Sequence, residues 1–402
     1  MKAYERLIKY TAFETGSYDN CEKSPSSEGQ RIFAEHLVNE LKTLGIEDAE
    51  VDEHCYVYAR IPANCSSLSG KTIGFIAHMD TVSDVEFRNV KPRVIESYDG
   101  KEIVLNEEKN IKMPPMPEYE GCTLVVTDGT TILGADDKAG IAEIMTMAER
   151  LMKDKSIEHG NISICFTTDE EIGRGIDYFD MKKFGADYAY TVDGGLFGEI
   201  EFENFNAINA KVTINGKNVH PGTAKMGGMK NANSIALEFD SMLPKNERPE
   251  YTEGYEGFYH LTDISSSVER AEMFYILRDP DNTKIKIKRA MFEKVAEFLN
   301  TKYGKDTIVL EMKDSYANMA EKILPHFHLI ENASKAIELS GGTPKSELIR
   351  GGTDGVRLSF MGLPCPNLAT GSDNHHGRFE FAVAEEMDMC VNTLIEIAKA
   401  YR

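Results

Sequence analysis

Short apolar runs alternate with amphipathic segments over much of the chain. The runs with the length and composition of buried strands are residues 73–77, 162–166, 188–192 and 367–370. Apolar residues recur at the helical period over residues 27–44 and 138–152. The first helix is expected to begin at a capping box formed by Ser27 and Gln30 and to stop at Gly45. This alternation predicts an α/β fold with a mostly parallel sheet.

The pattern changes at about residue 205. The segments that follow are a strand at 207–214, a helix at 231–243, strands at 258–261 and 269–277, a helix at 283–300 and a strand at 307–312. This β-α-β-β-α-β order is that of the ferredoxin-like motif. The residues of its second helix expected to face the core are Ile287, Met291, Val295 and Phe298. We therefore predict one larger domain from residues 1–205 and 317–402, with residues 206–316 inserted as a smaller α+β domain.

Composition narrows the class of protein. A chain of 402 residues is long enough for two domains. Its net charge of −21 argues against nucleic-acid and anionic-membrane partners, because both require basic surfaces. The N-terminus has no apolar signal core, and no apolar run reaches membrane-spanning length. The seven cysteines form no Cys-x-x-Cys pair, which is typical of free thiols in a reducing compartment. We expect a cytoplasmic protein.

Histidine and acidic residues follow the predicted strands. The fragments are His78-Met79-Asp80, Gly134-Ala135-Asp136-Asp137-Lys138, Asp169-Glu170-Glu171, Asp193-Gly194-Gly195 and His376-Gly377-Arg378-Phe379-Glu380. In open α/β sheets ligands bind beyond the C-terminal strand ends, so these side chains are expected to meet. Two imidazoles and several carboxylates suit two adjacent metal ions that activate water. The fragments and their order therefore indicate a di-zinc hydrolase, and among hydrolases a peptidase.

Each fragment also has an ordinary structural explanation. Asp80 could accept a buried hydrogen bond from His78, an arrangement that would also orient the ring as a ligand. Asp136 or Asp137 could cap the following helix, and three consecutive acids could form a solvated turn. His375 is adjacent to His376 and competes with it on spacing alone. The metal interpretation is favoured because five such fragments all lie at predicted strand ends.

Several longer motifs resemble those of a known family. They are HMDT (78–81), LGADDKAG (133–140), TTDEEIGRG (167–175), YTVDGG (190–195), NVHPGTAK (218–225), RAEMFYILRD (270–279), IRGGTDG (349–355) and NHHGRFE (374–380). With these motifs the chain resembles the M20 family of metallopeptidases, and within it the tripeptide aminopeptidases, over nearly its whole length. The resemblance implies a zinc-binding α/β domain with an inserted α+β lid.

The resemblance also implies a ligand set for two zinc ions per subunit. One ion would take His78 and Asp193, the other would take Glu171 and His376, and Asp136 would bridge them. The peptide bond after Asp136 would be cis, as is usual in this family.

Catalytic and substrate-binding roles follow from the same resemblance. Glu170 would be the general base and later the acid. Asp80 would accept a hydrogen bond from the ring nitrogen of His78 that does not bind metal. In the lid, His220 would stabilise the oxyanion, acting from its own chain or from a partner chain in a homodimer. Arg278 would bind the substrate carboxylate, and Arg350 could serve the same end.

The function implied is that of a zinc aminopeptidase that releases the N-terminal residue of tripeptides. One alternative is another M20 exopeptidase or amidohydrolase, acting on dipeptides or acylated amino acids. A second is a metal-dependent peptide-binding protein without catalysis, against which the retained Glu170 argues. One position departs from the family pattern: Phe379 stands where a histidine is expected.

Overall fold

The structure, a computed structural model, describes residues 1–65 and 70–402. The helices of these residues are α1 (Ala3–Tyr10), α2 (Glu28–Thr43), α3 (Ala135–Lys153), α4 (Met181–Phe184), α5 (Ala224–Gly227), α6 (Ala232–Ser241), α7 (Asn282–Tyr303), α8 (Ala320–Ile323), α9 (His328–Leu339), α10 (Asp354–Met361) and α11 (Ala384–Ala400). The strands are β1 (Glu50–Val51), β2 (Val57–Ile61), β3 (Thr72–His78), β4 (Arg93–Ile95), β5 (Ile103–Asn106), β6 (Ile111–Met113), β7 (Leu124–Val126), β8 (Asn161–Thr167), β9 (Tyr188–Gly194), β10 (Glu199–Asn204), β11 (Asn206–Asn215), β12 (Phe258–Ser266), β13 (Arg270–Asp279), β14 (Ile308–Tyr316), β15 (Lys345–Ile349), β16 (Asn367–Ala369), β17 (Ser372–Asp373) and β18 (Phe381–Val383).

The chain divides into two compact units. The first consists of Met1–Phe202, Lys322–Glu347 and Thr353–Arg402, and the second of Glu203–Glu321 and Leu348–Gly352. The short segment Leu348–Gly352, which the sequence-based boundaries assigned to the larger domain, belongs to the second unit.

The first unit is built on an eight-stranded sheet in the order β1-β2-β8-β3-β9-β16-β10-β15. Strands β8, β3, β9 and β16 are parallel neighbours, and antiparallel strands flank them. In β3 every residue after Thr72 is buried, as expected for a strand covered on both faces. Helix α3 packs against β3 and β9, and α1 and α11 pack against α3. The predicted mostly parallel α/β sheet is confirmed.

The first helix of the structure is α1, so the expectation that residues 27–44 form the first helix was wrong. Arg6 of α1 is only 2% exposed and donates hydrogen bonds to Glu40 Oε1 at 2.8 Å and Glu149 Oε2 at 2.9 Å. A charged residue therefore occupies the inner face of this eight-residue helix. Because its burial depends on partners far along the chain, the apolar pattern alone did not reveal the helix.

The expected capping box at the start of α2 is absent among the described hydrogen bonds. Ser27 occupies the N-cap position, but its side chain accepts no cap hydrogen bond. Gln30 instead donates from Nε2 to Asp169 Oδ1 at 2.8 Å, and its Oε1 accepts from Asp169 N at 3.1 Å. The start of α2 is thus tied to the loop after β8.

The second unit has a four-stranded antiparallel sheet in the order β12-β13-β11-β14. Helices α6 and α7 contact this sheet, and the core between them includes Val212, Phe239, Met273 and Phe292. The order of elements along the chain is the β-α-β-β-α-β order predicted from the sequence.

Helix α7 is rotated from its predicted orientation. Val295 is buried as expected, but Ile287 is 61% exposed and Phe298 is 52% exposed. The buried face is centred on Phe292 and includes Lys288, whose ammonium lies 4.6 Å from the centre of the Tyr259 ring. The helix carries apolar residues on two faces, and periodicity could not decide which face meets the sheet.

Two further features concern membrane-spanning helices and cysteines. Within the described part of the chain, no helix combines the length and the apolar character that crossing a membrane requires. All seven cysteines are free, and four of them are buried.

Glu143 in α3 yields a prediction about stability. Its carboxyl is fully buried, and neither oxygen has a hydrogen-bond partner among the described residues. Burial, reinforced by the charge of Asp388, raises the pKa of Glu143 well above its ordinary value of 4.5. Between pH 4.5 and the raised pKa, the folded state therefore keeps a proton that the unfolded state releases. The stability associated with the protonated Glu143 is fully present below the unfolded pKa and is lost as the pH rises through the folded pKa.

We expect Glu143→Met to raise the free energy of unfolding by about 1–3 kcal/mol, the scale of an unpaired buried polar group. The gain should be larger at about pH 8 than at about pH 5, because only the wild-type protein carries the acid. Denaturant unfolding at both pH values measures it. The exposed Glu35 of α2 provides a matched control, since Glu35→Met removes an acid that is not buried. An equal effect of both substitutions would contradict the explanation.

Candidate metal centre

The predicted ligands of the first unit lie where parallel strands end. His78 is the last residue of β3, Asp193 is in β9, and Glu171 lies just after β8. Asp136 lies in the first turn of α3, where the backbone at 136 and 137 is not yet helical. Gly140 allows α3 to approach β9 closely, since a Cβ there would lie 1.8 Å from the carbonyl oxygen of Val192.

His78 is at the centre of the cluster and is only 2% exposed. Its Nε2 lies 2.9 Å from Asp136 Oδ1 and 3.3 Å from Asp193 Oδ1. Its Nδ1 lies 3.1 Å from the Asp80 carbonyl oxygen and 3.4 Å from Asp80 Oδ1. One ring nitrogen thus faces the carboxylate cluster and the other faces Asp80, the arrangement that orients a histidine ligand.

Asp80 also holds the segment after β8. Its Oδ1 accepts from the backbone N–H of Glu170 at 3.0 Å, and its Oδ2 accepts from that of Glu171 at 3.1 Å. A single carboxylate therefore fixes the backbone of Glu170 and Glu171 and contacts the ring of His78.

Asp136 lies between the two histidines. His376 Nε2 is 3.0 Å from Asp136 Oδ2 and 3.1 Å from Glu171 Oε2. The two oxygens of Asp136 thus face His78 and His376 separately, which is the geometry a bridging carboxylate requires. The Asp136–Asp137 peptide bond is cis, as the family resemblance implies.

The geometry distinguishes the two adjacent histidines. His375 Nε2 is hydrogen-bonded to Ser372 Oγ at 2.9 Å, and its Nδ1 lies 3.9 Å from the nearer oxygen of Asp136. His376 has both of its short contacts with Asp136 and Glu171. The arrangement favours His376 over His375 as the metal-binding residue.

A cation would stabilise the negative charge of the clustered carboxylates. Burial raises the pKa of Glu171 to about 7 and raises that of Asp193. Burial acts in the same direction on Asp136, but hydrogen bonds from His376 and His78 hold its pKa well below the ordinary range. Carboxylates packed this closely repel one another unless positive charge lies among them.

The donor atoms fit a zinc site. Two groups have their possible ligand atoms within 4.8 Å of one another: His78, Asp136 and Glu171, and His78, Asp137 and Asp193. Glu171 Oε1 is buried and has no hydrogen-bond partner among the described residues. Imidazole nitrogens and carboxylate oxygens are donors that zinc accepts. The cluster is thus suited to bind metal.

Asp137 is a member of the cluster that the sequence suggested only as a helix cap. Its Oδ2 accepts from the backbone N–H of His78 at 3.1 Å, and its Oδ1 accepts from Gly140 N at 3.1 Å. Both oxygens therefore already have backbone partners, so Asp137 is better suited to orient β3 and α3 than to bind metal. The adjacent Asp136 made its separate role hard to recognise from the sequence.

Three predicted residues lie in the second unit. His220 is exposed, and its Nδ1 accepts from Gly222 N at 3.1 Å. The Arg278 guanidinium lies 5.3 Å from the centre of the Tyr316 ring. Arg350 donates to the carbonyl oxygen of Gly254 at 2.6 Å and lies 4.9 Å from the centre of the Phe205 ring.

The structure explains the apolar residue at position 379. Phe379 is partly buried and packs against an apolar cluster of the first unit that includes Ile103, Met113 and Phe381. An aromatic side chain at this position therefore stabilises the turn that carries His376 through packing.

Comparisons with known proteins identify the family. A family model described as "Peptidase dimerisation domain" matches residues 202–306. A curated protein named peptidase T, from Caldanaerobacter subterraneus subsp. tengcongensis, is 53% identical over 100% of this chain and 98% of its own length. The chain belongs to the peptidase T family. This confirms the resemblance to M20 metallopeptidases, and the protein is therefore a peptidase.

Two solved structures share the fold of this peptidase T family member. The aminopeptidase PepT from Bacillus cereus has a TM-score of 0.78 at 24% identity, covering 99% of this chain and 97% of that one. A tripeptidase from Staphylococcus aureus has a TM-score of 0.77 at 22% identity, covering 100% and 99%. At these identities the likeness concerns the fold.

The positions of the two histidines predict different metal contents for two variants. After zinc loading and gel filtration, His376→Ala should retain about one ion fewer than the wild-type protein, because it loses the imidazole shared by Asp136 and Glu171. His375→Ala should retain the wild-type metal content, since His375 is hydrogen-bonded to Ser372. Elemental analysis measures both. Loss of metal from the His375 variant alone would reverse the assignment.

Proposed function

We propose that this peptidase T family member is a cytoplasmic aminopeptidase that uses two zinc ions per subunit to release the N-terminal residue of tripeptides. The observation that carries the proposal is the position of Asp136, whose two oxygens face His78 and His376. The tripeptidase name of the Staphylococcus aureus protein of the same fold supports the substrate class.

The proposed ligands divide between two ions that share Asp136. His78 and Asp193 would hold one ion, and Glu171 and His376 the other. When bound, such ions supply Lewis acidity, which polarises a carbonyl and makes water a better nucleophile at neutral pH. The close contacts of these five side chains support this division.

Glu170 is the proposed proton carrier. Its backbone is held by Asp80, and burial, reinforced by the charge of Asp354, raises the pKa of its carboxyl well above the ordinary range. A carboxyl with a raised pKa can take a proton from the attacking water and hold it near neutral pH. The same carboxyl then donates that proton to the nitrogen of the leaving amine. One residue would therefore serve both steps.

Residues of the second unit are proposed to bind the substrate. His220 would stabilise the oxyanion with its imidazole. Arg278 would pair with the C-terminal carboxylate, because a planar guanidinium matches the two oxygens of a carboxylate. Arg350 is a weaker candidate, since its Nη1 already donates to Gly254 and its Nη2 to Thr252. The hydrogen bonds of Arg278 to Leu277 and Ile208 both come from Nη1.

We also propose that the second unit mediates a homodimer. The match to a dimerisation domain covers residues 202–306, which include α7. The exposed Ile287 and Phe298 lie on one side of α7 together with the half-buried Met291. Burying this apolar stripe against a second copy would remove it from water. Sedimentation of the purified protein measures the oligomeric state, and a monomer at micromolar concentration would contradict the proposal.

The substrate class is tested with a peptide panel. Zinc-loaded protein should release the N-terminal residue from tripeptides, and mass spectrometry should show free amino acid and dipeptide as products. Glu170→Gln should keep its metal and lose roughly 10²–10⁴-fold in turnover, the range for acid–base catalysis. Faster cleavage of dipeptides or acylated amino acids would favour another M20 activity. Peptide binding without turnover by wild-type protein would instead indicate a binding protein.

A second prediction concerns recognition of the substrate carboxylate. Arg278→Ala should weaken hydrolysis of tripeptides with a free C-terminus far more than hydrolysis of their C-terminal amides, because capping removes the charged partner. The ratio of kcat/KM for acid and amide measures the effect. Arg350→Ala is the matched control and should leave this ratio nearly unchanged. A change in the ratio for the Arg350 variant alone would transfer the role to Arg350.

A further inference from the structure

Glu380 is a buried acid that has no role in the proposed reaction. It is 2% exposed and lies directly before β18. Its Oε2 accepts from the backbone N–H groups of Leu133 and Gly134, each at 2.7 Å, and its Oε1 accepts from that of Asp136 at 3.0 Å. Because both oxygens are engaged by backbone donors, Glu380 is not itself placed to bind a metal ion.

The three donors belong to the turn that presents Asp136. This turn includes Gly134 at φ +74° and Asp136 at φ −82° and ψ 104°, so its backbone is not helical. The first N–H groups of a helix have no partner within the helix. A carboxylate that accepts three of the N–H groups in this region supplies charge-assisted bonds, which are stronger than neutral ones. These bonds fix the backbone on both sides of Ala135. They therefore also fix the position of the Asp136 Cα, from which its short side chain extends.

Glu380 also belongs to the segment that presents His376. Its own N–H donates to the carbonyl oxygen of Gly377 at 3.1 Å, and its neighbour Phe379 packs against the apolar cluster that contains Phe381. His376 itself has φ +60°, a conformation that a non-glycine residue keeps only when its surroundings hold it. The same acid therefore connects the turn of His376 to the turn of Asp136.

We propose that Glu380 is a positioning residue that sets the spacing between Asp136 and His376 and thereby the affinity of the metal site. His376 Nε2 and Asp136 Oδ2 lie 3.0 Å apart, and they belong to the two segments that Glu380 connects. The inference rests on the proposed metal site, because it assigns Glu380 to the arrangement of that site's ligands.

Substitution by glutamine tests the proposal with little change in volume. Glu380→Gln replaces one acceptor oxygen with an NH₂ group, which cannot accept from a backbone N–H. We expect its affinity for Zn²⁺, measured by competition with a chromophoric chelator, to be about 10–100-fold weaker than that of the wild-type protein. The visible spectrum of the Co²⁺-loaded variant should differ from that of Co²⁺-loaded wild type, because the ligands are displaced. Glu380→Asp retains the charge on a shorter side chain and should have an intermediate affinity.

Asp52→Asn is the matched control. Asp52 Oδ1 accepts from the backbone N–H groups of His54 and Tyr56, each at 2.9 Å, in a turn that carries none of the proposed ligands. This variant keeps one acceptor oxygen for both donors and should leave the Zn²⁺ affinity and the Co²⁺ spectrum unchanged.

Two outcomes separate the hypotheses. Unchanged Zn²⁺ affinity and an unchanged Co²⁺ spectrum in folded Glu380→Gln, with only a lower melting temperature, would overturn the role of Glu380. If that variant does not fold, the same result with Glu380→Asp would overturn it. Failure of the wild-type protein to bind Zn²⁺ would instead contradict the metal site itself.

Discussion

Hydrogen bonds from backbone N–H groups to buried carboxylates hold the loops at one edge of the first unit's sheet. Asp80 receives them from Glu170 and Glu171, and Asp137 receives one from His78. Glu380 receives three from the turn of Asp136. Each bond gives a loop a defined position without an apolar core of its own. As a consequence, negative charge is concentrated in a poorly solvated region.

That concentration of charge connects the fold to the chemistry. Carboxylates with backbone donors can remain ionised inside a protein, whereas Glu171 has a buried oxygen that lacks a hydrogen-bond partner among the residues the structure describes. The arrangement is therefore incomplete as a purely structural network, and a cation among these oxygens would satisfy it. Because the proposed ligands are far apart in the chain and meet only in the folded protein, binding of a metal ion and stability of this edge are expected to be coupled.

The second unit is organised by packing instead. Its antiparallel sheet is covered by α6 and α7, and even the buried Lys288 lies over the Tyr259 ring. Arg350, one of the residues proposed to bind substrate, donates hydrogen bonds to Gly254 and Thr252. Ile287 and Phe298 of α7 remain exposed, so packing against this core does not account for them.

Sequence by itself determined the central strands, the ferredoxin-like order of the second unit and the family. Strands β3, β8 and β9 are continuous apolar runs, and such patterns are local, so they could be recognised without tertiary information. The candidate ligands were found because acidic and histidine residues follow those runs.

Only the tertiary structure decided which polar residues are buried and what they contact. Helix α1 depends on Arg6, which is satisfied by residues of α2 and α3, and the start of α2 is held by Asp169 rather than by its own cap. The exposed faces of α7 and the choice of His376 over His375 depend on neighbours in space. Glu380 lies 244 residues after Asp136, whose backbone N–H donates to its carboxylate. A local pattern contains no information about such a partner, because the free energy of burying a charge depends on donors that only the folded chain brings together.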